Sequence, residues 1–512
     1  MPDCHLDLLW FLCYNESGCS AAVKGVHCIL HVALYSKALL QTKEATILMS
    51  LRNRDMDMCN GPLFGKILIF ALPIMAMNIL QLMFNAADMI VVGRFSGSEA
   101  LAAVGATGAM INLIINLFMG LSVGTSVVVA QDYGAGKPDA VSRSVHTSIA
   151  ISIISGLIVM AAGLLLCQTL LVWMGTPADI LGLSTLYIKI YFIGLPASMV
   201  YNFSAAILRA VGDSRHPMYY LIISGIVNVI LNLFFVIVLH MSVDGVAWAT
   251  VISQYLSAAL IIICLLRCDG AIRFIPRQMR IDPKKLKAIV KIGLPAGLQG
   301  LLFSIANVLV QSSVNFFGST MVAASSASGN VEGLVGTSMN AYYNAALTFT
   351  GQNMGAKKYD RIGTIAKVCT ILIFATWILL GGLTWLFGRP LLGLYTSDSG
   401  VIDLGMQRLK VMMVAYFTCG VMNVFPGLSR GMGYSVLPML STLVGACLMR
   451  IVWVATVFAW YPTISVLFAC YPVTWALAGL GQVGSFLYAR SRVRRQAARE
   501  VDTAVSPVQG TA

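Results

Sequence analysis

Charge is what this sequence has least of. Only 11% of its 512 residues are charged, against about a quarter in soluble domains. Acids are the scarcer sign: 21 Asp and Glu stand against 34 Lys and Arg, with six His. A membrane-embedded enzyme needs His, Asp or Glu clustered at one depth, and only Asp88 and Glu332 qualify, in different halves of the chain. A complete phosphate-cradling loop is also missing. QDYGAGKPDAVSR (131–143) offers Gly134, Gly136 and Lys137. A nucleotide loop requires G-x-x-x-x-G-K-[ST] between a strand and a helix; here the first Gly is too close and Pro138 follows the Lys. The net charge of +13 does not point to nucleic acid, because 58% of the residues are hydrophobic and a basic excess in such a chain belongs to cytoplasmic loops.

What the chain does have is apolar blocks of membrane-crossing length. There are twelve, at about 67–92, 101–130, 145–173, 186–208, 217–240, 245–266, 289–316, 320–350, 364–388, 405–428, 436–458 and 462–488. The longest connection, from Leu266 to Lys291, divides them into halves. With the N-terminus inside, inside loops and tail hold 22 Lys and Arg, whereas outside loops hold five: Arg94, Lys189, Arg389, Arg408 and Lys410. This bias supports twelve spans with both termini inside.

The blocks repeat. QDYGAGKPD at 131 is echoed by QNMGAKKYD at 352, an offset of 221 residues. The same offset maps NFSAAILRAVGDSRHP (202–217) onto NVFPGLSRGMGYSVLP (423–438) and GSEALAA (97–103) onto GSTMVAA (318–324). The LP at 72–73 pairs with that at 294–295, one residue out of step. Six helices per half is an even number, so the repeats are parallel and related by an axis along the membrane normal. Parallel-repeat transporters place substrate between the halves. The fold class is therefore an all-α polytopic membrane protein of two six-helix repeats around a central cavity, and the glycines of 131–143 read as a tight inside reversal.

Ionisable residues at membrane depth are expensive and mark function. Asp88 lies about 30 Å along the first block at about 1.5 Å per residue. Asn228 and Asn232 in the fifth block are spaced i, i+4 and share a face. Thr250 lies near the outer start of the sixth. A carboxylate and three neutral oxygen donors at similar depth can bind a hard cation such as Na⁺, or Asp88 can take a proton; the two Asn can equally serve as interhelical hydrogen bonds. Glu332 either lines the cavity or caps a neighbouring helix, and Arg450 is read as fixing packing. Pro73, Pro196, Pro295 and Pro426 lie inside blocks. The repeat pair Pro73 and Pro295 is placed at kinks that bend during transport or give static curvature.

PLFGKILIFALPIMAMNILQLMFNAADMIVVG, the AQDYGAGKPDAVSR loop, its copy TGQNMGAKKYDR, AILRAVGDSRHPMYY and ISGIVNVILNLFFV resemble the multidrug and toxic compound extrusion (MATE) family over residues 61–490. The resemblance implies a cation-coupled antiporter with an N-lobe (56–275) and a C-lobe (276–490) around a V-shaped cavity, followed by a basic cytoplasmic tail (491–512). In a bacterial and archaeal branch an Asp in helix 1, an Asn and an Asp in helix 5 and a Thr in helix 6 line the N-lobe cation site. They match Asp88, Asn228, Asn232 and Thr250, with Asn232 replacing the second acid. A helix 4 Asn matches Asn202, with Ala205 in place of a polar neighbour. Other branches use a Glu in helix 7 and an acid in helix 10; here Gln299 replaces the first and the second is absent, so a C-lobe cation site is not expected. Residues 1–55 do not share the resemblance. They carry four Cys and three His without a C-x-x-C pair and no basic leader. A family-like beginning at Met56 implies that the natural start lies there.

The resulting expectation is export of organic cations or drugs in exchange for H⁺ or Na⁺, without cofactor or nucleic acid. The antiporter would be monomeric, in contact with membrane lipid, in the plasma membrane of a bacterium. The alternative is a flippase for lipid-linked oligosaccharides, which needs a cavity rich in Arg or Lys for pyrophosphate.

Overall fold

A computed structural model describes residues 56–396 and 398–505 of the chain. The N-terminal extension, and with it the reading of its start, lies outside them. Among the described residues there is no strand. The helices are α1 (Leu63–Ser96), α2 (Ser98–Gly134), α3 (Pro138–Trp173), α4 (Ala178–Ala210), α5 (Arg215–Val238), α6 (Val243–Arg267), α7 (Pro283–Asn315), α8 (Ser319–Gly355), α9 (Tyr359–Leu386), α10 (Ser399–Val414 and Tyr416–Gly431), α11 (Val436–Phe458) and α12 (Ile464–Val505). Ten of the described helices are long and apolar enough to cross a bilayer, and the two pieces of α10, bent by 53°, make an eleventh span. The remaining one, α8, has the length, at 37 residues, but Ser, Gly, Thr and Asn dilute it. Its residues 345–353 are buried without a break; a helix enclosed by other helices needs small and polar residues more than a lipid-facing surface. The twelve-helix, two-lobe architecture read from the sequence is the one observed.

Several helices begin or end a turn or two beyond the apolar blocks, and at two of the starts an Asp side chain caps the helix. α3 starts with Pro138 at its first position, where the missing N–H costs nothing. α7 starts at Pro283, and the Asp282 side chain accepts from the N–H groups of Lys284 (2.8 Å) and Lys285 (3.2 Å). These N–H groups, Lys285's foremost, and the Arg143 guanidinium at 3.4 Å hold the Asp282 carboxyl below the usual carboxylate range. A depressed carboxyl stabilises the fold above its unfolded pKa and loses that contribution as pH falls through the folded value. Asp282→Ala is therefore expected to lower the Tm of the purified protein at pH 7, with the gap to wild type closing as the pH is taken below about 4. A gap that is constant with pH would contradict the cap.

The same overrun corrects one placement. Asp398 caps α10 by accepting from Gly400 N at 2.8 Å, so the helix starts at Ser399 and carries Arg408 two turns inward. Arg408 is 8% exposed; it is not an outside-loop residue.

The duplication is visible in the backbone. Left-handed residues pair at the 221-residue offset: Gly97 with Gly318, Gly136 with Lys357 and Gly212 with Gly433. A π-helical turn ends α5 at Phe234–Val238 and α11 at Val454–Phe458. The α2–α3 reversal needs Gly136, at φ 63°. Gly134, read from sequence as part of that reversal, is instead the last residue of α2.

Candidate functional site

Asp88 sits on α1 one turn before the helix widens into a π turn at Val92–Ser96. Asn232 occupies the matching place on α5, two residues before its own π turn at Phe234. Such turns break the regular register and recur at functional positions. Here they bring the two side chains together: Asn232 Nδ2 donates to Asp88 Oδ1 at 2.5 Å and to Asn228 Oδ1 at 3.2 Å. Asn228 Nδ2 donates to Thr250 Oγ1 at 3.4 Å, and that hydroxyl donates to Val246 O at 3.0 Å. One chain of hydrogen bonds thus links α1, α5 and α6 through the four residues selected from the sequence. Asn232 is 0% exposed and its Oδ1 has no partner. Asp88 has no ion pair among the described residues. A half-buried carboxylate without a cation, at the head of a chain of neutral amides and a hydroxyl with one unsatisfied amide oxygen, is a set of groups that can take a proton or a hard monovalent cation.

Two tyrosines complete the surroundings. Tyr187 and Tyr191, i and i+4 on α4, stack at 6.3 Å within electrostatic reach of Asp88, and Tyr191 lies against Gln254 of α6. Sequence reasoning missed all three. The i, i+4 spacing was legible, but nothing in it says which helix the pair faces.

The other selected residues lie elsewhere. Asn202 keeps its hydrogen bonds inside α4, donating to Ser198 O at 2.8 Å, as Asn423 does to Cys419 O at 2.9 Å in the other repeat. Gln299 accepts from Arg430 Nη2 at 2.6 Å and ties α7 to α10. Pro73 lies within α1 and Pro295 within α7. Pro295 is flanked by Gly293 and Gly297, both closely packed on α2. Glu332 forms an ion pair with Arg408 Nη2 at 2.9 Å.

The repeated loop motif forms a seam between the lobes at the end that carries the basic loops. Gln131 Nε2 donates to Gly431 O and Gln352 Nε2 to Ala210 O, both at 2.8 Å. Each glutamine caps the last carbonyl of a helix in the opposite lobe, and the two contacts are copies of one another. Gly134 and Gly355 lie beside them: a Cβ at Gly134 would stand 2.0 Å from Gln352 O, and one at Gly355 1.9 Å from Gln131 O. Asp132 adds an ion pair to Lys285 of the C-lobe at 2.5 Å and accepts from Ser144 Oγ at 2.6 Å. Residues 124–130 of α2 are buried without interruption at this end. Toward the other end, Glu99, Ala102 and Gly105 of the same helix are exposed.

Twelve helices in a parallel repeat, an unpaired carboxylate inside one lobe and a closed seam at one end define a membrane transporter, not an enzyme. The family model described as MatE matches residues 73–234 and 295–456, once in each repeat. The chain belongs to the MatE family. It is similar to the probable multidrug resistance protein YpnP of Bacillus subtilis (strain 168), 27% identical over 406 residues, which are 79% of this chain and 90% of the relative. It is also similar to the multidrug export protein MepA of Staphylococcus aureus (strain NCTC 8325 / PS 47), 22% identical over 422 residues, 81% of this chain and 90% of that one. A solved structure, of a MATE in complex with MaL6, has the same fold, with a TM-score of 0.80 at 22% identity over 86% of this chain and 99% of the other.

Proposed function

We propose that the protein is a secondary antiporter that exports organic cations, drugs among them, in exchange for H⁺ or Na⁺. The observation that carries this reading is Asp88, without an ion pair among the described residues, at the head of the hydrogen-bonded chain through Asn232 and Asn228 to Thr250. The site holds one negative charge, so it is completed by one monovalent cation, and Asn228, Asn232 and Thr250 supply the remaining oxygens. The relatives named for multidrug resistance and multidrug export support the substrate class. The basic end is assigned to the cytoplasm by the excess of Lys and Arg there, which puts both termini inside and the site toward the outside of a bacterial plasma membrane. In this reading the seam of Gln131, Gly134, Gln352 and Gly355 is the closed inner gate, and the lobes rock to open it. Both lobes and the site belong to one chain, so a monomer is the working unit.

Purified protein in proteoliposomes is expected to move ethidium uphill when an H⁺ or Na⁺ gradient is imposed, and to stop when an ionophore collapses it. Failure to move ethidium or norfloxacin under either gradient would sink the reading.

A further inference from the structure

The C-lobe contains a second buried polar cluster, and its charge is the reverse of the N-lobe's. Arg450 on α11 is 0% exposed. Its guanidinium lies against the rings of Phe303 (4.8 Å) and Tyr471 (4.6 Å). Nη1 donates to Asn307 Oδ1 at 2.6 Å and Nε to Thr474 Oγ1 at 3.4 Å, but Nη2 has no hydrogen-bond partner. Arg408 lies nearby over Phe468 at 5.2 Å. Its two terminal nitrogens donate to Ser325 O, to Ser328 Oγ at 2.9 Å and to Glu332 at 2.9 Å, while its Nε has no partner. Among the described residues, Glu332 is the acid that pairs in this cluster, with Arg408. Arginine stays protonated in proteins, so two cations share one carboxylate and the cluster carries a net charge of +1.

Its position matters as much as its charge. At the 221-residue offset Arg408 is the counterpart of Tyr187, Tyr471 of Thr250, and Arg450 of the residue after Asn228. The positive cluster therefore occupies in the C-lobe the place that the Asp88 site occupies in the N-lobe. Arg408 and Arg430 each leave only an Nε without a partner, whereas Arg450 leaves a terminal Nη2, at a depth where an unmet N–H is costly. The aromatic rings attract the cation without satisfying the free N–H. Arg450 itself is buried, while Asn307 and Glu332 beside it keep partial exposure.

We propose that the Arg450 cluster is an anion site for the carboxylate of an aromatic, amphoteric substrate. The free Nη2 supplies the charge-assisted hydrogen bond, Phe303 and Tyr471 supply aromatic walls, and the Glu332–Arg408 pair sets the charge at +1. The transport half of this inference rests on the proposed antiport; the binding half does not. It predicts selection for substrates that carry a carboxylate beside their cationic group.

Benzoate binding to wild type, Arg450→Gln and Glu332→Gln in nanodiscs tests it. The readout is the fluorescence of tryptophan, because Trp475 lies 5.5 Å from Tyr471. Wild type is expected to bind benzoate saturably and to ignore benzamide. Arg450→Gln should bind benzoate at least about tenfold more weakly. Glu332→Gln, which removes the competing carboxylate, should bind it more tightly, and it keeps the test decisive if the Arg450 variant does not fold. Equal benzoate affinity across the folded proteins overturns the proposal. So does displacement of benzoate by chloride or inorganic phosphate at lower concentrations than benzoate itself needs, which would make this an inorganic-anion or phosphate site. In proteoliposomes the rate ratio of norfloxacin to its methyl ester should exceed one for wild type and fall to about one for Arg450→Gln; an equal ratio in both also overturns it. If neither compound moves, the antiport reading fails, and benzoate binding still decides the anion site.

Discussion

Asp88→Asn is expected to abolish gradient-driven export while leaving a folded protein. The substituted amide has the shape of the carboxyl and still accepts from Asn232 Nδ2, so the link to α5, and through Asn228 to Thr250 on α6, survives. What disappears is the charge. Among the described residues the side chain bonded to Asp88 is the amide of Asn232, so no second acid stands beside it there. An ion shifts a transporter between states only through a difference in its affinity for them. Coupling free energies of this kind amount to about 1–3 kcal/mol, or about 5- to 150-fold. The variant should lose that factor, so that ethidium efflux with an imposed H⁺ or Na⁺ gradient equals efflux without one. The elution profile and Tm of the purified variant separate loss of coupling from loss of fold. Efflux that still accelerates with the gradient would remove Asp88 from the coupling site.

The division between what the sequence revealed and what it hid follows from range. Membrane helices are legible because every turn facing lipid must be apolar, and all twelve were read as apolar blocks. α8 is the most diluted of them: it is buried without a break only at 345–353, and Ser326, Asn330 and Asn340 stand on an exposed face of the rest of the helix. The quartet Asp88, Asn228, Asn232 and Thr250 was legible because polar atoms at depth are few enough to be paired by elevation alone. Tyr187 and Tyr191 were not, because a tyrosine is ordinary anywhere near a membrane surface and only the packing of α4 decides what this pair meets. Arg408 was misplaced for a local reason. It stands near the edge of the block at 405–428, where an arginine looks like a loop residue until the cap at Asp398 is seen to start α10 at Ser399 and Glu332 to pair with it. Gly134 was misread for a long-range one: its lack of a side chain answers to Gln352, on a helix more than two hundred residues away.

That contact supports the largest conformational effect expected here. Gly134→Leu combined with Gly355→Leu should hold the basic end of the molecule open. Each new Cβ would fall within 2.0 Å of a backbone carbonyl oxygen of the other lobe, Gln352 O in one case and Gln131 O in the other. Backbone cannot swing aside as a side chain does, so relief requires the lobes to separate. Overpacking of this kind costs about 1–3 kcal/mol per site. The two sites are copies and act on the same seam, so together they oppose closure by about 2–6 kcal/mol. About 5.5 kcal/mol is enough to invert a two-state population from 1:99 to 99:1. The hydrogen bonds of Gln131 to Gly431 and Gln352 to Ala210 are lost in the same motion, since each spans the seam. Spin labels at Asp139 and Asp360, exposed at the heads of α3 and α9 and themselves related by the 221-residue offset, should report a longer distance in the double variant than in wild type. Transport should fall with it, because a lobe pair that cannot close inside cannot complete a cycle. Gly484→Leu is the control: a Cβ there meets nothing within 4 Å, and it should change neither the distance nor the rate. A folded double variant with the wild-type label distance would show that this seam is not where the lobes part.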